Sequence, residues 1–343
     1  MNLIDLIYPK FKTVSIVGTY KNAGKTVTMN EIISQAVDRE IRLGLVSTGR
    51  DGERRDVLTN TEKPPVHVRR GTIITTLENA VTNEFAQIEV LMVTDYSTAL
   101  GRVIIGRAID DGYVEISGPP STSSIKEVCD IMMSFGAELV LIDGSLDRRA
   151  SAAPYVSQGT ILATGAALAR NMDTVIQKTL HIVDTYRVPA LEDVAVRNLA
   201  REIIDAGKTA IIDRERNIKY IDTATSLHCG ELISTHMDET VDFIVLSGSA
   251  TVSTIDDILL NKKSDLEIIV KDPTRIFIPK REFMIFEKRG MRLRVTDSIN
   301  IVAMTVNPYS PEGYYFDPAA FLDRMRETMA QRIPVYDVMQ GWR

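Results

Sequence analysis

The chain has 343 residues, of which 44% are hydrophobic and 25% charged, and its formal net charge is −6. Those proportions are ordinary for a globular protein of one large α/β domain or two smaller ones. The acidic balance, with pI near 5.4, argues against nucleic acid as the main partner. In chain order, continuous apolar runs predict buried parallel strands at Val14–Val17, Leu43–Ser47, Leu139–Ile142, Thr160–Ala163, Phe243–Leu246, Leu266–Val270 and Ile299–Val306. Helical patterns fall between them at Thr26–Arg39, Ser124–Phe135, Ala166–Tyr186, Ile255–Leu260, Lys280–Lys288 and Pro318–Gln331. The alternation predicts an α/β fold, a largely parallel sheet with helices on both faces.

Two stretches break the rhythm. Gln87–Thr94, Arg102–Ala108 and Tyr113–Ser117 are strand-like and closely spaced, and Asp110-Asp111-Gly112 is a turn signal. An antiparallel hairpin insertion is expected near 87–118, and Asp213–Asp222 reads as a second small hairpin or turn. Arg187-Val188-Pro189 interrupts the pattern after a long helix. The expected division is therefore 1–185, an α/β domain carrying the hairpin insertion, and 186–343, a C-terminal α/β portion that either stands alone or extends the first sheet.

The start of the chain, Met1 to Lys12, lacks the basic segment and long apolar run of a signal peptide. No stretch of about 18 apolar residues occurs, so no membrane partner is expected and the cytoplasm is the default location. Cys129 and Cys229 lack metal-ligand spacing and are expected to be reduced thiols, and the four histidines are scattered.

Chemistry concentrates at Gly18-Thr19-Tyr20-Lys21-Asn22-Ala23-Gly24-Lys25-Thr26. An apolar run precedes this stretch and a helical one, beginning at Val27, follows. That is the strand, loop, helix order of a phosphate-binding P-loop. Small residues let backbone N–H groups converge on phosphate oxygens, and a helix N-terminus adds partial positive charge. Lys25 is expected to reach the β- and γ-phosphates, and the Thr26 hydroxyl to ligate Mg²⁺. Five residues, rather than the usual four, separate Gly18 from Gly24, which puts Thr19 at the first position of the pattern.

Magnesium also needs acidic support. Asp143 ends the run Leu139–Ile142 at an expected strand tip, where ligands of open sheets gather. Asp51, or Glu53, in the loop after Leu43–Ser47 is the second candidate, with Arg50 as a phosphate partner. Asp147-Arg148-Arg149 reads either as a phosphate or partner contact or as a surface charge run. Gly118–Ser124 reads either as a second anion-binding turn or as a helix cap, and the cap is the simpler reading. Asn261-Lys262-Lys263-Ser264-Asp265 has one residue too many for a guanine-reading motif and precedes a strand rather than following one. Asp272-Pro273-Thr274 is a possible base-side loop.

The loop at 18–26 resembles that of dethiobiotin synthetases and of the P-loop class that also holds signal-recognition and MinD-type ATPases. That resemblance implies an acidic residue near Asp51 and adenine contact at Asn307. Five stretches together look like a narrower family: 21–28 (KNAGKTVT), 47–53 (STGRDGE), 142–149 (IDGSLDRR), 161–166 (ILATGA) and 305–311 (TVNPYSP). They resemble the B subunit of the lysine 5,6-aminomutase reactivase over about residues 10 to 320. The resemblance implies ATP and Mg²⁺ as cofactors and slow ATP hydrolysis. It also implies two protein partners, an adenosylcobalamin-dependent aminomutase and a second reactivase subunit, with release of damaged cobalamin as the outcome. Two other readings stand beside it: an ATP-dependent ligase or kinase of small-molecule metabolism, and a nucleotide-binding module without turnover.

Overall fold

Strands buried on both faces need apolar side chains at successive positions, and the long apolar runs of this chain supply them. The computed structural model describes residues 2–48, 66–80, 86–99, 101–145, 153–222, 229–260, 266–330 and 332–339. They form two compact units, Met1–Leu180 with Asn300–Arg343, and His181–Ile299.

The first unit holds β1 (Thr13–Gly18), β2 (Leu43–Ser47), β3 (Val66–Val68), β4 (Ile73–Leu77), β5 (Ile88–Thr98), β6 (Gly101–Ala108), β7 (Gly112–Val114), β8 (Leu139–Ser145), β9 (Gly159–Gly165), β17 (Ile301–Asn307) and β18 (Val335–Tyr336). Nine of them form one sheet in the order β18-β17-β9-β1-β8-β2-β4-β6-β5. From β18 to β4 every pairing is parallel, and β6 pairs antiparallel with β4 and β5. Side-chain parity divides the core. Val14, Ile16, Leu43, Leu45, Leu139 and Leu141 pack with Met29, Ile32 and Ala36 of α2 (Lys25–Val37) and with Leu3, Ile4 and Ile7 of α1 (Leu3–Ile7). The intervening Val46, Val140 and Ile142 pack with Ile125, Val128 and Met132 of α3 (Thr122–Ser134). α4 (Met172–Tyr186) follows β9, and α9 (Pro318–Met329) lies between β17 and β18 in sequence, with Asp317 accepting from the Ala320 N–H as its N-cap.

The second unit is a five-stranded sheet, β11-β10-β12-β14-β16. Its strands are β10 (Thr209–Asp213), β11 (Ile218–Ile221), β12 (Val241–Val245), β14 (Glu267–Val270) and β16 (Arg292–Val295); a separate short parallel pair joins β13 (Ala250–Thr251) to β15 (Ile276–Phe277). β12, β14 and β16 run parallel, and the β10–β11 hairpin runs against them. The same parity operates. Ala210, Ile212, Phe243, Val245 and Ile269 meet α5 (Val194–Asp205). Ile211, Ile244, Ile268, Val270 and Leu293 meet the face holding α6 (Cys229–Thr235), α7 (Val252–Leu260) and α8 (Lys280–Lys288).

Two expectations change and a third resolves. The hairpin insertion is β5–β6, and Asp110-Asp111-Gly112 does not close a hairpin between β6 and β7. β7 pairs instead with β3. The aspartates are used elsewhere: Asp111 accepts from the Arg69 guanidinium and the Arg70 N–H, and Asp110 from the Gln87 N–H. The portion 186–343, expected either to stand alone or to extend the first sheet, does each in part: His181–Ile299 is a unit of its own, and β17 and β18 pair into the first sheet. Asp143 is not at a strand tip, since β8 continues through Gly144 to Ser145. Among the described residues no helix is long and apolar enough to cross a membrane.

Candidate functional site

The carboxyl ends of β17, β9, β1, β8 and β2 are consecutive along the large sheet, and the candidate site is built on them. β1 ends at Gly18, opposite Ser145 of β8 and Ala163 of β9. Thr19 leaves the strand but stays pinned: its N–H donates to the Ala163 carbonyl at 2.8 Å, and its hydroxyl joins Thr164 and Thr179 in a buried chain at 3.0 and 2.7 Å. Tyr20 is exposed, Lys21 and Asn22 are half-buried, and Ala23 is buried. The loop turns on two left-handed residues, Asn22 at φ 58° and Gly24 at φ 97°. It then enters α2 at Lys25, followed by Thr26 and Val27.

Two features fit this loop to an anion. The α2 N-cap is Gly24, which offers no side-chain cap to the first-turn N–H groups. Among the described residues those donors take no side-chain cap, and the positive end of the helix dipole lies behind them. A Cβ on Gly18 would lie 3.0 Å from Lys25 Cγ and 3.1 Å from Lys25 Cδ. The Lys25 stem thus folds back across the glycine, a path that a side chain at 18 would close. Among the described residues no carboxylate pairs with the Lys25 ammonium.

β17 holds the loop from the other side. Asn307 Nδ2 donates to the Asn22 carbonyl at 3.3 Å, and the Thr305 and Thr28 hydroxyls meet at 2.8 Å. Thr28 also donates to the Gly24 carbonyl, at 3.0 Å. The approach is close enough that a Cβ on Gly24 would stand 3.1 Å from Asn307 Cβ, and one on Gly165 would stand 2.3 Å from the Asn307 carbonyl oxygen. The loop is therefore clamped between β9 and β17.

On the β8 side, Asp143 sits opposite Ile16 of β1 and Ser47 of β2, and its carbonyl accepts from the Thr48 N–H at 2.9 Å. Ser47 Oγ is buried with no hydrogen-bond partner among the described residues. Above it passes Gly118, where a Cβ would stand 1.7 Å from the Ser47 carbonyl oxygen. Ser121 then caps α3 by accepting from the Ser124 N–H at 3.1 Å, and its hydroxyl clusters with those of Ser123 and Ser124. The 118–124 stretch is a helix cap.

Comparison with family models, with curated proteins and with solved structures finds no match to this chain.

The structure brings Gly18 to Val27, Asn307 and Asp143 to one edge of one sheet. Asp51, Arg50, Glu53, Asp147–Arg149 and Asn261–Asp265 lie outside the described residues. Asp272 is in the second unit, and its carboxylate takes the Thr274 N–H and hydroxyl. No group of three metal-ligating side chains occurs among the described residues. Sequence reading did not assign Thr305, Thr164 or Thr179. The first two lie within stretches that carry the family resemblance, which was the signal available for them.

Proposed function

We propose that this chain binds a nucleoside triphosphate with Mg²⁺ at residues 18–27 and acts as the ATP-driven subunit of a reactivase for an adenosylcobalamin-dependent aminomutase, together with a second reactivase subunit. One observation carries the reading. The described parts of the five stretches that resemble the reactivase family fall at the carboxyl ends of β1, β2, β8, β9 and β17, which are five neighbours in one sheet. Residues far apart in sequence converge there, at the edge where open α/β sheets take their ligands.

The chain's own groups have separable tasks. First-turn amides of α2 and the Lys25 ammonium neutralise phosphate charge. The Thr26 hydroxyl would ligate the magnesium, and Asp143 would hold the metal's water. Asp51 belongs to the same set by sequence. Bound ATP supplies the phosphoryl group whose loss toggles the state, as in nucleotide switches generally. Gly24 and Gly165 admit Asn307, which keeps the loop in its binding shape.

Calorimetry with Mg-ATP tests the site. The wild-type chain binds, and Lys25→Ala abolishes binding and turnover. Undiminished affinity and hydrolysis in that variant would sink the assignment. Basal hydrolysis is expected to be slow and to rise when the aminomutase is added; a rate that rises only with a small-molecule acceptor favours the ligase reading instead.

A further inference from the structure

Beyond Asn307 the chain forms a short, braced ribbon. Asn307 Oδ1 accepts from the Tyr309 N–H at 3.1 Å, so the same side chain that holds Asn22 also starts the ribbon. Tyr309 and Tyr315 form an antiparallel bridge. Inside it the Ser310 N–H donates to the Tyr314 carbonyl at 3.0 Å, and Gly313 turns the chain at φ 86°. The ribbon is tied down on the β9 side, where the Tyr314 hydroxyl donates to the Ala166 carbonyl at 2.8 Å. It is tied below by Phe316, whose ring packs edge-on against Phe321 of α9 at 5.3 Å.

Bridged partners on an antiparallel pair present their side chains to the same face. Tyr309 and Tyr315 do so with ring centroids 6.0 Å apart and planes inclined by 36°. They are 54% and 68% exposed, while Tyr314 and Phe316 serve the ribbon's own packing. The result is an aromatic surface on a rigid support, rooted two residues from the side chain that touches the phosphate loop. Every nucleobase has a π-face, so aromatic rings beside a phosphate cradle bind bases by stacking. Asn307 already spends one donor and one acceptor on the loop and the ribbon, which makes it a positioning residue rather than the sole reader of the base.

We propose that Tyr309 and Tyr315 are the stacking surface for the base of the nucleotide held at 18–27, and that this surface takes purine nucleotides ahead of pyrimidine ones because their π-face is larger. The inference rests on the nucleotide reading above, and the test separates the two. The full chain, Y309A/Y315A and Y309F/Y315F are each titrated with Mg-ATP, Mg-CTP and Mg-tripolyphosphate. The alanine pair is expected to lose at least about tenfold in ATP affinity while tripolyphosphate affinity stays within about twofold and the ATP-over-CTP preference collapses. The phenylalanine pair retains wild-type affinities. Unchanged ATP affinity in the alanine pair overturns the stacking role, as does an equal loss for ATP and tripolyphosphate, which reports only a loosened loop. A wild-type chain that binds tripolyphosphate but not ATP overturns it too. A wild-type chain that binds neither removes the nucleotide reading itself.

Discussion

The two sheets are built by one rule and finished differently. In each, neighbouring strand positions alternate between two helical layers, as Leu141 and Ile142 do in the first unit and Ile244 and Val245 in the second. At the carboxyl edge they part. The second unit spends its polar groups internally: Asp272 caps Thr274, the Thr296 hydroxyl donates to the Lys271 carbonyl at 2.8 Å, and Asp297 accepts from Arg201 at 2.8 Å. Among the described residues, the first unit leaves an ammonium, a helix start and a buried serine hydroxyl unspent. A parallel sheet brings polar residues to one edge in either case, and only the unspent ones are available to a ligand.

Substitutions that separate architecture from edge chemistry sharpen this contrast. The largest effect is expected for Gly118→Val, whose Cβ would strike the Ser47 carbonyl at 1.7 Å. A loss exceeding about 4 kcal/mol in urea unfolding is expected, and a variant as stable as wild type would show that the strand-end packing is loose. Ile142→Ala and Ile244→Ala are a matched pair, both fully buried. Each is expected to cost about 3 kcal/mol. Only Ile142→Ala, next to Asp143, also lowers Mg-dependent ATP turnover; equal turnover losses in both would erase the distinction between the edges. Asp143→Asn is expected to weaken apparent Mg²⁺ affinity by about tenfold, read from turnover across a Mg²⁺ titration. Asp272→Ala removes a capping carboxylate and is expected to cost about 1 kcal/mol without altering ATP affinity.

The smallest effect concerns Cys129 on α3. Burial pushes its thiol up to about 12, from 9.0. The folded chain holds this proton more tightly than the unfolded chain. The stability it contributes is therefore full below pH 9 and is lost as pH rises toward about 12. A native chain whose Cys129 reacts rapidly with a thiol reagent at pH 8 contradicts that burial.

Much of this was legible in local pattern. Leu43–Ser47 and Lys280–Lys288 have the bounds expected of them, because a doubly buried strand and an amphipathic helix write their periods directly into sequence. β4 is fully buried yet carries Thr75 and Thr76, which masked its apolar run. α5 was passed over although Asp193 caps it and Val196, Ala200, Ile203 and Ile204 form its buried stripe. Pairing was the harder matter. Asp110-Asp111-Gly112 has the composition of a hairpin turn, but its carboxylates answer to Arg69, Arg70 and Gln87, and no local rule contains that information. At the site, the 18–26 stretch announced itself, whereas the bond from Asn307 to Asn22 spans 285 positions and existed only once the sheet was assembled.

That long span bears on how the protein is made. The second unit occupies His181–Ile299, so a ribosome that has finished it has not yet released Thr305 or Asn307. The 18–26 loop is synthesised well before Thr305 and Asn307, the β17 residues that clamp it. A nascent chain arrested before β17 has its second unit entire and its loop held from the β9 side alone. Any ligand of this loop is then expected to bind more tightly once β17 has joined the sheet.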